Sequence, residues 1–192
     1  MAYSNFTRAA LHLTDPPSSS RITPLVSWIP PPAGCLKLNS DGSVHHLGNA
    51  AAGGLIRDDL GHWIQGYSVN IGITSPFEAE LWGLVHGLKV ALSLNIPDLL
   101  VDLDSAALVD LFANPPSPHR ATSNLMLEGR HLLSLFASVT FRHTFREGNQ
   151  AADFLANFGH SIEPGLLIHH APPTGIGPIL LGDKMETMFP RH

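Results

Sequence analysis

Two hydrophobic periods take turns along residues 36–158. Leu36-Lys37-Leu38-Asn39 alternates apolar with polar, the period of a strand. Residues 51–56 and 62–71 predict two further strands. Arg57-Asp58-Asp59-Leu60-Gly61 between them reads as a turn, so the pair forms an antiparallel hairpin. The period then changes. Ser75 supplies a helix cap, Pro76 suits the first helical position, and Glu78 completes a capping box. Leu81, Leu84, Val85, Leu88 and Leu92 follow at helical spacing, which predicts a helix to about residue 94 with that stripe buried. Residues 99–103 predict a short apolar strand and 105–112 a short helix, broken by Pro115-Pro116-Ser117-Pro118. Residues 125–136 give another amphipathic helix, and 139–145 a last strand. Asn149 is placed to cap a helix over 150–158.

The order β-β-β-α-β-α-α-β-α predicts an α/β fold: a five-stranded mixed sheet with helices on its faces. At 192 residues and 44% hydrophobic, the chain suits one domain with tails. The domain is expected over 28–160. Residues 1–27, with Pro16-Pro17-Ser18-Ser19-Ser20, read as a flexible linker-like segment, and 161–192 as a Pro/Gly-rich C-terminal tail. No apolar run approaches the ~20 residues that span a bilayer, so no membrane partner is expected. The first ten residues lack the apolar core of a secretory signal. The single cysteine, Cys35, excludes an internal disulfide. A nuclear or cytoplasmic location follows as the expectation, with organelle targeting disfavoured, and the chain is expected to be a monomer.

Charge complicates the picture. Eleven Lys and Arg against 16 Asp and Glu give a net charge of −5, whereas a nucleic-acid partner usually leaves a basic footprint. Function must therefore rest on local chemistry. Four carboxylates stand out, each among apolar or small residues where an isolated charge is expensive. Asp41 follows Leu38-Asn39-Ser40 and ends the first predicted strand, with Gly42 permitting a close turn after it. Glu80, in Glu78-Ala79-Glu80-Leu81-Trp82, lies four residues before Leu84 and shares its helix face. Asp104 ends the fourth strand, and Asp153 lies in the first turn of the last helix. If the strands of Asp41 and Asp104 are parallel neighbours, both acids open onto the crevice at the sheet's carboxyl edge. A set of hard oxygen ligands selects Mg²⁺ or Mn²⁺ over Zn²⁺. Two such ions about 4 Å apart suit in-line phosphodiester hydrolysis.

These motifs carry a resemblance. From Trp28 to about Gly159 the chain resembles the ribonuclease H type 1 domain, especially the plant branch related to non-LTR retrotransposon reverse transcriptases. Asp41-Gly42-Ser43 is similar to that family's first-aspartate motif, Ala79-Glu80-Leu81 to its glutamate motif, and Asp104-Ser105 to its second-aspartate motif. Asn149 to Asp153 is similar to the Asn-x-x-x-Asp of its last helix, and His143 falls where the family keeps a catalytic-loop histidine. The resemblance implies that Asp41, Glu80, Asp104 and Asp153 bind two Mg²⁺, with Mn²⁺ as a substitute. It also implies that His143 assists, and that the substrate is the RNA strand of an RNA–DNA hybrid. Family members often grip the hybrid with a basic, aromatic-containing protrusion. The corresponding stretch here, 114–124, is Pro-rich, with only His119 and Arg120.

Other residues have plainer readings. Gly42, Ser43, Asn39, Asn149 and Arg146 are candidate substrate contacts, as are Gln65 and Arg142. Solvated strand-edge charges explain Arg142 and Arg146 nearly as well. Asp102 is expected at a solvated strand position and Glu78 as the capping acid. Trp63 and Trp82 are expected to pack. His45-His46 and His169-His170 lack the companions of a zinc site and read as loop histidines. Three functions stay open: hybrid ribonuclease; a catalytically weak or inactive retroelement-derived module that binds nucleic acid or protein; or another nuclease on the same fold, acting on DNA junctions or single strands.

Overall fold

The computed structural model describes residues 25–114, 123–185 and 189–190. Residues 1–24 of the expected linker and most of the 114–124 stretch therefore lie outside the described residues. In chain order the strands are β1 (Leu25–Val26), β2 (Leu36–Val44), β3 (Asn49–Arg57), β4 (Trp63–Ile73), β5 (Asp98–Leu103), β6 (Ser138–His143), β7 (Gly165–His169) and β8 (Phe189–Pro190). The helices are α1 (Pro76–Ser93), α2 (Ala106–Ala113), α3 (Asn124–Leu133), α4 (Gln150–Phe158) and α5 (Gly177–Lys184). Every strand and helix expected between residues 36 and 158 is present.

The main sheet has the order β6-β5-β2-β3-β4-β7, and β1 pairs with β8 in a small separate ladder. Strands β2 to β4 form the antiparallel meander, while β2, β5 and β6 are parallel. The sheet thus has six strands rather than five. The sixth, β7, comes from the stretch expected as a tail and pairs with β4 from Gly66↔His169 to Asn70↔Gly165. Its short Leu-Leu-Ile run lies among glycines and prolines, which hides it from a periodicity reading.

The two faces of the sheet differ. On one face α1 seats Leu81, Leu84, Val85 and Leu88, all fully buried, against Leu38, Ile56, Tyr67 and Val69. Burying each such side chain contributes about 1.5–3 kcal/mol. Leu92, at the end of the predicted stripe, is only half-buried. The Ser75 hydroxyl caps α1 by accepting from the Glu78 amide at 3.3 Å. The box is only half formed, because the Glu78 carboxylate takes the Thr74 hydroxyl instead. The helix ends at Asn95, which adopts left-handed backbone (φ 55°), a role Asn tolerates at helix ends.

The other face carries α4 and α5 over Leu55, Ala151, Ala152, Leu155 and Ile176. At Gly53, β3 has no room for a side chain. A Cβ on Gly53 would lie 2.3 Å from the Ala156 backbone nitrogen and from the Leu155 carbonyl carbon. The helix that carries Asp153 therefore rests directly on strand backbone. Among the described residues no helix is long and apolar enough to cross a membrane.

Overpacking a site with no flexible neighbour typically costs about 1–3 kcal/mol. Gly53→Ala should lower stability by at least that amount in urea denaturation. An unchanged denaturation midpoint would show that α4 does not need its close seat on β3.

Candidate active site

Strand register builds the site. Ser40 pairs with Leu103 in the parallel β2–β5 ladder, so Asp41 and Asp104 follow side by side. Asp41 does not end its strand, as the sequence reading had it: β2 runs on to Val44, held against β3. Gly42 makes no turn either. A Cβ there would stand 2.4 Å from the Glu80 backbone nitrogen, so its missing side chain is what admits α1 to the strand.

Asp41, Glu80 and Asp104 converge, each offering an oxygen within 4.8 Å of the others'. Asp41 is 1% exposed. Asp41 Oδ2, Glu80 Oε2 and Asp104 Oδ1 are all buried without a hydrogen-bond partner. Burial pushes the Asp41 carboxyl well above its ordinary range, and the charges of Glu80, Asp104 and Asp153 push it further. Burial, then Asp104, raises Glu80 to about 8, against the hydrogen bonds it takes from Asp41 and the Gly42 amide and the charge of Arg146. Asp104 is raised as well, mainly by burial, with Arg146 opposing. Crowded, desolvated carboxylates of this kind hold protons or cations.

Asp153 stands beside this triad rather than in it. Its side chain is 37% exposed and lies 3.7 Å from the Arg146 guanidinium. It is near enough to raise both Asp41 and Asp104 by its charge. His143 ends β6 on the adjacent strand, exposed, with Nε2 3.2 Å from the Asp104 carbonyl oxygen. Arg146 sits in the short 3-10 turn Arg146–Gly148 with its side chain 75% exposed. Ser43 lies beside α4, its hydroxyl donating to Asn157 Oδ1 at 2.9 Å.

Asn39 and Asn149, expected as substrate contacts, are each 1% exposed and face inward. Asn39 Nδ2 donates to Asn149 Oδ1 at 3.0 Å, and Asn149 Nδ2 donates to the Ser40 carbonyl at 3.0 Å. Asn149 thus does not cap α4 with its side chain. It ties the start of that helix to the strand of Asp41.

Sequence reasoning missed the polar layer behind the site. Asp102 is buried, not solvated, and pairs with Lys37 at 2.5 Å and with both nitrogens of the Arg142 fork at 3.0 and 3.1 Å. Arg142 is therefore committed to Asp102. Arg57 pairs with Asp183 of α5 at 2.6 Å and lies 3.9 Å over the Trp28 ring, whose indole N–H donates to Asn39 at 2.9 Å. The only sequence signal was polar Lys37, Asn39 and Asp41 on alternate positions, and that signal ordinarily means solvent. Gln65 lies 3.5 Å from His170, far along the sheet at the β4–β7 edge.

Comparison with known proteins bears on the family and the fold. The family model described as reverse transcriptase-like matches residues 39–159. An Arabidopsis thaliana protein named "Putative ribonuclease H protein" is 33% identical over 173 residues, 90% of this chain. This chain spans 28% of that relative's length. The N-terminal RNase H domain of a Mycobacterium tuberculosis protein superposes with a TM-score of 0.59 at 23% identity, covering 66% of this chain and 93% of that one. RNase H1 of Halobacterium salinarum gives 0.59 at 23% identity, covering 67% and 98%. LC11-RNase H1, solved in complex with an RNA/DNA hybrid, gives 0.56 at 23% identity, covering 66% and 96%.

The raised carboxyls link the site to stability. A carboxyl raised in the folded state keeps its proton to higher pH there than in the unfolded chain. Its stability contribution is whole below the ordinary carboxylate range and is lost as pH climbs, for Glu80 through about 8. Without divalent ions, Asp41→Asn should melt at higher temperature than the unsubstituted chain at pH 8, and the two should converge near pH 4. Equal melting temperatures at pH 8, followed by circular dichroism, would contradict the charge crowding described. On its sequence match and its fold, the chain belongs to the reverse transcriptase-like family and carries that family's ribonuclease H domain.

Proposed function

We propose that this chain hydrolyses the RNA strand of RNA–DNA hybrids, with two Mg²⁺ ions held by Asp41, Glu80, Asp104 and Asp153. The observation that carries the reading is the convergence of three carboxylates, Asp41 buried and Glu80 and Asp104 partly buried, whose inner oxygens have no partner within the protein. Bare oxygens of this kind fit a hard divalent cation, and an all-oxygen set accepts Mn²⁺ in place of Mg²⁺. Bound there, such ions activate water and stabilise a leaving oxygen at phosphorus.

The protein's own groups divide the remaining work. Asp41 and Asp104 are fixed by strand register, and Glu80 by the close seat of α1 over Gly42. Asp153, on the rim, approaches the site from α4. His143, exposed beside Asp104, is placed to take or deliver a proton at the rim. Arg146, exposed on the same rim, is placed for a phosphate oxygen. The ribonuclease H names among the relatives, and the hybrid bound to LC11-RNase H1, support this substrate class. A nucleus or cytoplasm is the compartment proposed, with the chain acting as a monomer.

One observation favours a second reading, a non-catalytic binding module: the net charge of −5 gives a phosphate backbone little to hold.

A labelled RNA–DNA hybrid, offered with Mg²⁺, Mn²⁺ or EDTA beside duplex DNA and duplex RNA, separates the two. Metal-dependent loss of the hybrid's RNA strand alone is the expected result. Asp41→Asn should reduce that rate by more than about 100-fold, since disturbing even a metal ligand's supporting residue costs 10–100-fold. Full activity in that variant would refute the metal site. Intact hybrid under every metal, from folded protein, would refute the nuclease and leave the non-catalytic module as the reading, with its binding partner the next measurement.

A further inference from the structure

Asp153 reaches the site from a helix, at its rim. It lies outside the triad, and its side chain is more than a third exposed. Something else must set its direction. One helical turn on, Asn157 Nδ2 donates to the Asp153 carbonyl oxygen at 2.9 Å and to its carboxylate Oδ2 at 3.2 Å.

The far side of that amide is also held. Asn157 Oδ1 accepts the Ser43 hydroxyl at 2.9 Å and meets His45 Nε2 at 3.3 Å. An amide oxygen only accepts, so His45 Nε2 carries its proton. The Ser43 hydroxyl has given its one proton to Asn157, so it must accept from His160 Nε2, 3.1 Å away. Both imidazoles are thereby assigned Nε2–H donors. Their rings stack with centroids 3.7 Å apart and planes 14° from parallel.

The chain of bonds has a single sense. Protons point from His160 to Ser43, from Ser43 and His45 to Asn157, and from Asn157 to Asp153. Turning the Asn157 amide over would set its oxygen against the Asp153 carbonyl and carboxylate oxygens, and both of those contacts would be unfavourable.

We infer that Asn157, locked by Ser43, His45 and His160, is a positioning residue for Asp153 that orients its carboxylate toward the metal site. The inference rests on the divalent-metal reading given above. Groups that orient a ligand typically account for 10–100-fold in metal affinity or activity.

The test uses Asn157→Ala, Asn157→Asp and Ser43→Ala. Asn157 is exposed, so its variants should fold. Three quantities are read for each: Mn²⁺ affinity by calorimetry, the Mg²⁺ concentration giving half-maximal hybrid cleavage, and the melting temperature without metal. Asn157→Ala is expected to weaken Mn²⁺ binding and raise the Mg²⁺ requirement about 10-fold. KM for the hybrid should stay within about 2-fold, and melting within a few degrees. Asn157→Asp keeps the acceptor toward Ser43 but repels Asp153, so it should be worse than alanine. Ser43→Ala should fall between the unsubstituted chain and Asn157→Ala.

If melting falls while Mn²⁺ affinity and Mg²⁺ requirement hold, the network is merely structural and the inference is overturned. An unsubstituted chain that binds no Mn²⁺ also overturns it, by removing the metal reading beneath it. The two failures are distinct because affinity is measured on the unsubstituted protein first.

Discussion

Like charges brought within 4.8 Å of one another repel, and around Asp41, Glu80 and Asp104 the hydrogen bonds to Glu80 and the charge of Arg146 do not offset their burial. The fold imposes their meeting. Parallel register sets two of the acids on neighbouring strands, and a glycine in place of a side chain lets a helix deliver the third. The free energy of this crowding is drawn from the apolar face, where α1 buries its leucines against the sheet. A site that is unfavourable alone is affordable only on a core that is rigid and fully packed. Standing outside the triad at the start of α4, Asp153 adds its charge to the crowding from a partly exposed position.

Behind the acids lies a second electrostatic layer of opposite character. Lys37, Arg57 and Arg142 are matched by Asp102 and Asp183, with Trp28 covering the cations. Burial holds the Lys37 ammonium down to about 8 even with Asp102 beside it. Buried ion pairs add little net stability over apolar side chains, yet removing one partner is strongly destabilising. Their effect here is to fix which segments lie on this face. Asn39 touches both layers, since it bonds Trp28 on one side and Asn149 on the other.

Much of this was legible before any coordinates. Element order followed from period: two for the strands, near four for α1, with Ser75, Pro76 and Glu78 marking its start. The four acids were legible because each sits in a frame of small and apolar residues. The remainder was not, for physical reasons. Alternation cannot tell a polar strand face turned to water from one turned to a buried partner, so Asp102 reads as solvated and Asn39 as a substrate contact. Their partners are far away in sequence: Asp102 is 65 residues from Lys37 and 40 from Arg142, and Asn149 is 110 from Asn39. Gly42 reads as a turn residue and Gly53 as an ordinary strand position, because sequence cannot show a helix pressing on a strand. Strand β7 carries too few residues to display a period at all.

The Arg57–Asp183 pair joins residues 126 apart in the chain. At the pace of translation, roughly 5–20 residues per second, Arg57 is made roughly 6–25 s before its carboxylate exists. Throughout that interval the second face of the sheet cannot close without burying an unpaired guanidinium. The nascent chain must therefore keep that face wet, and the last stage of folding belongs to the C-terminal helix rather than to the strands that carry the acids.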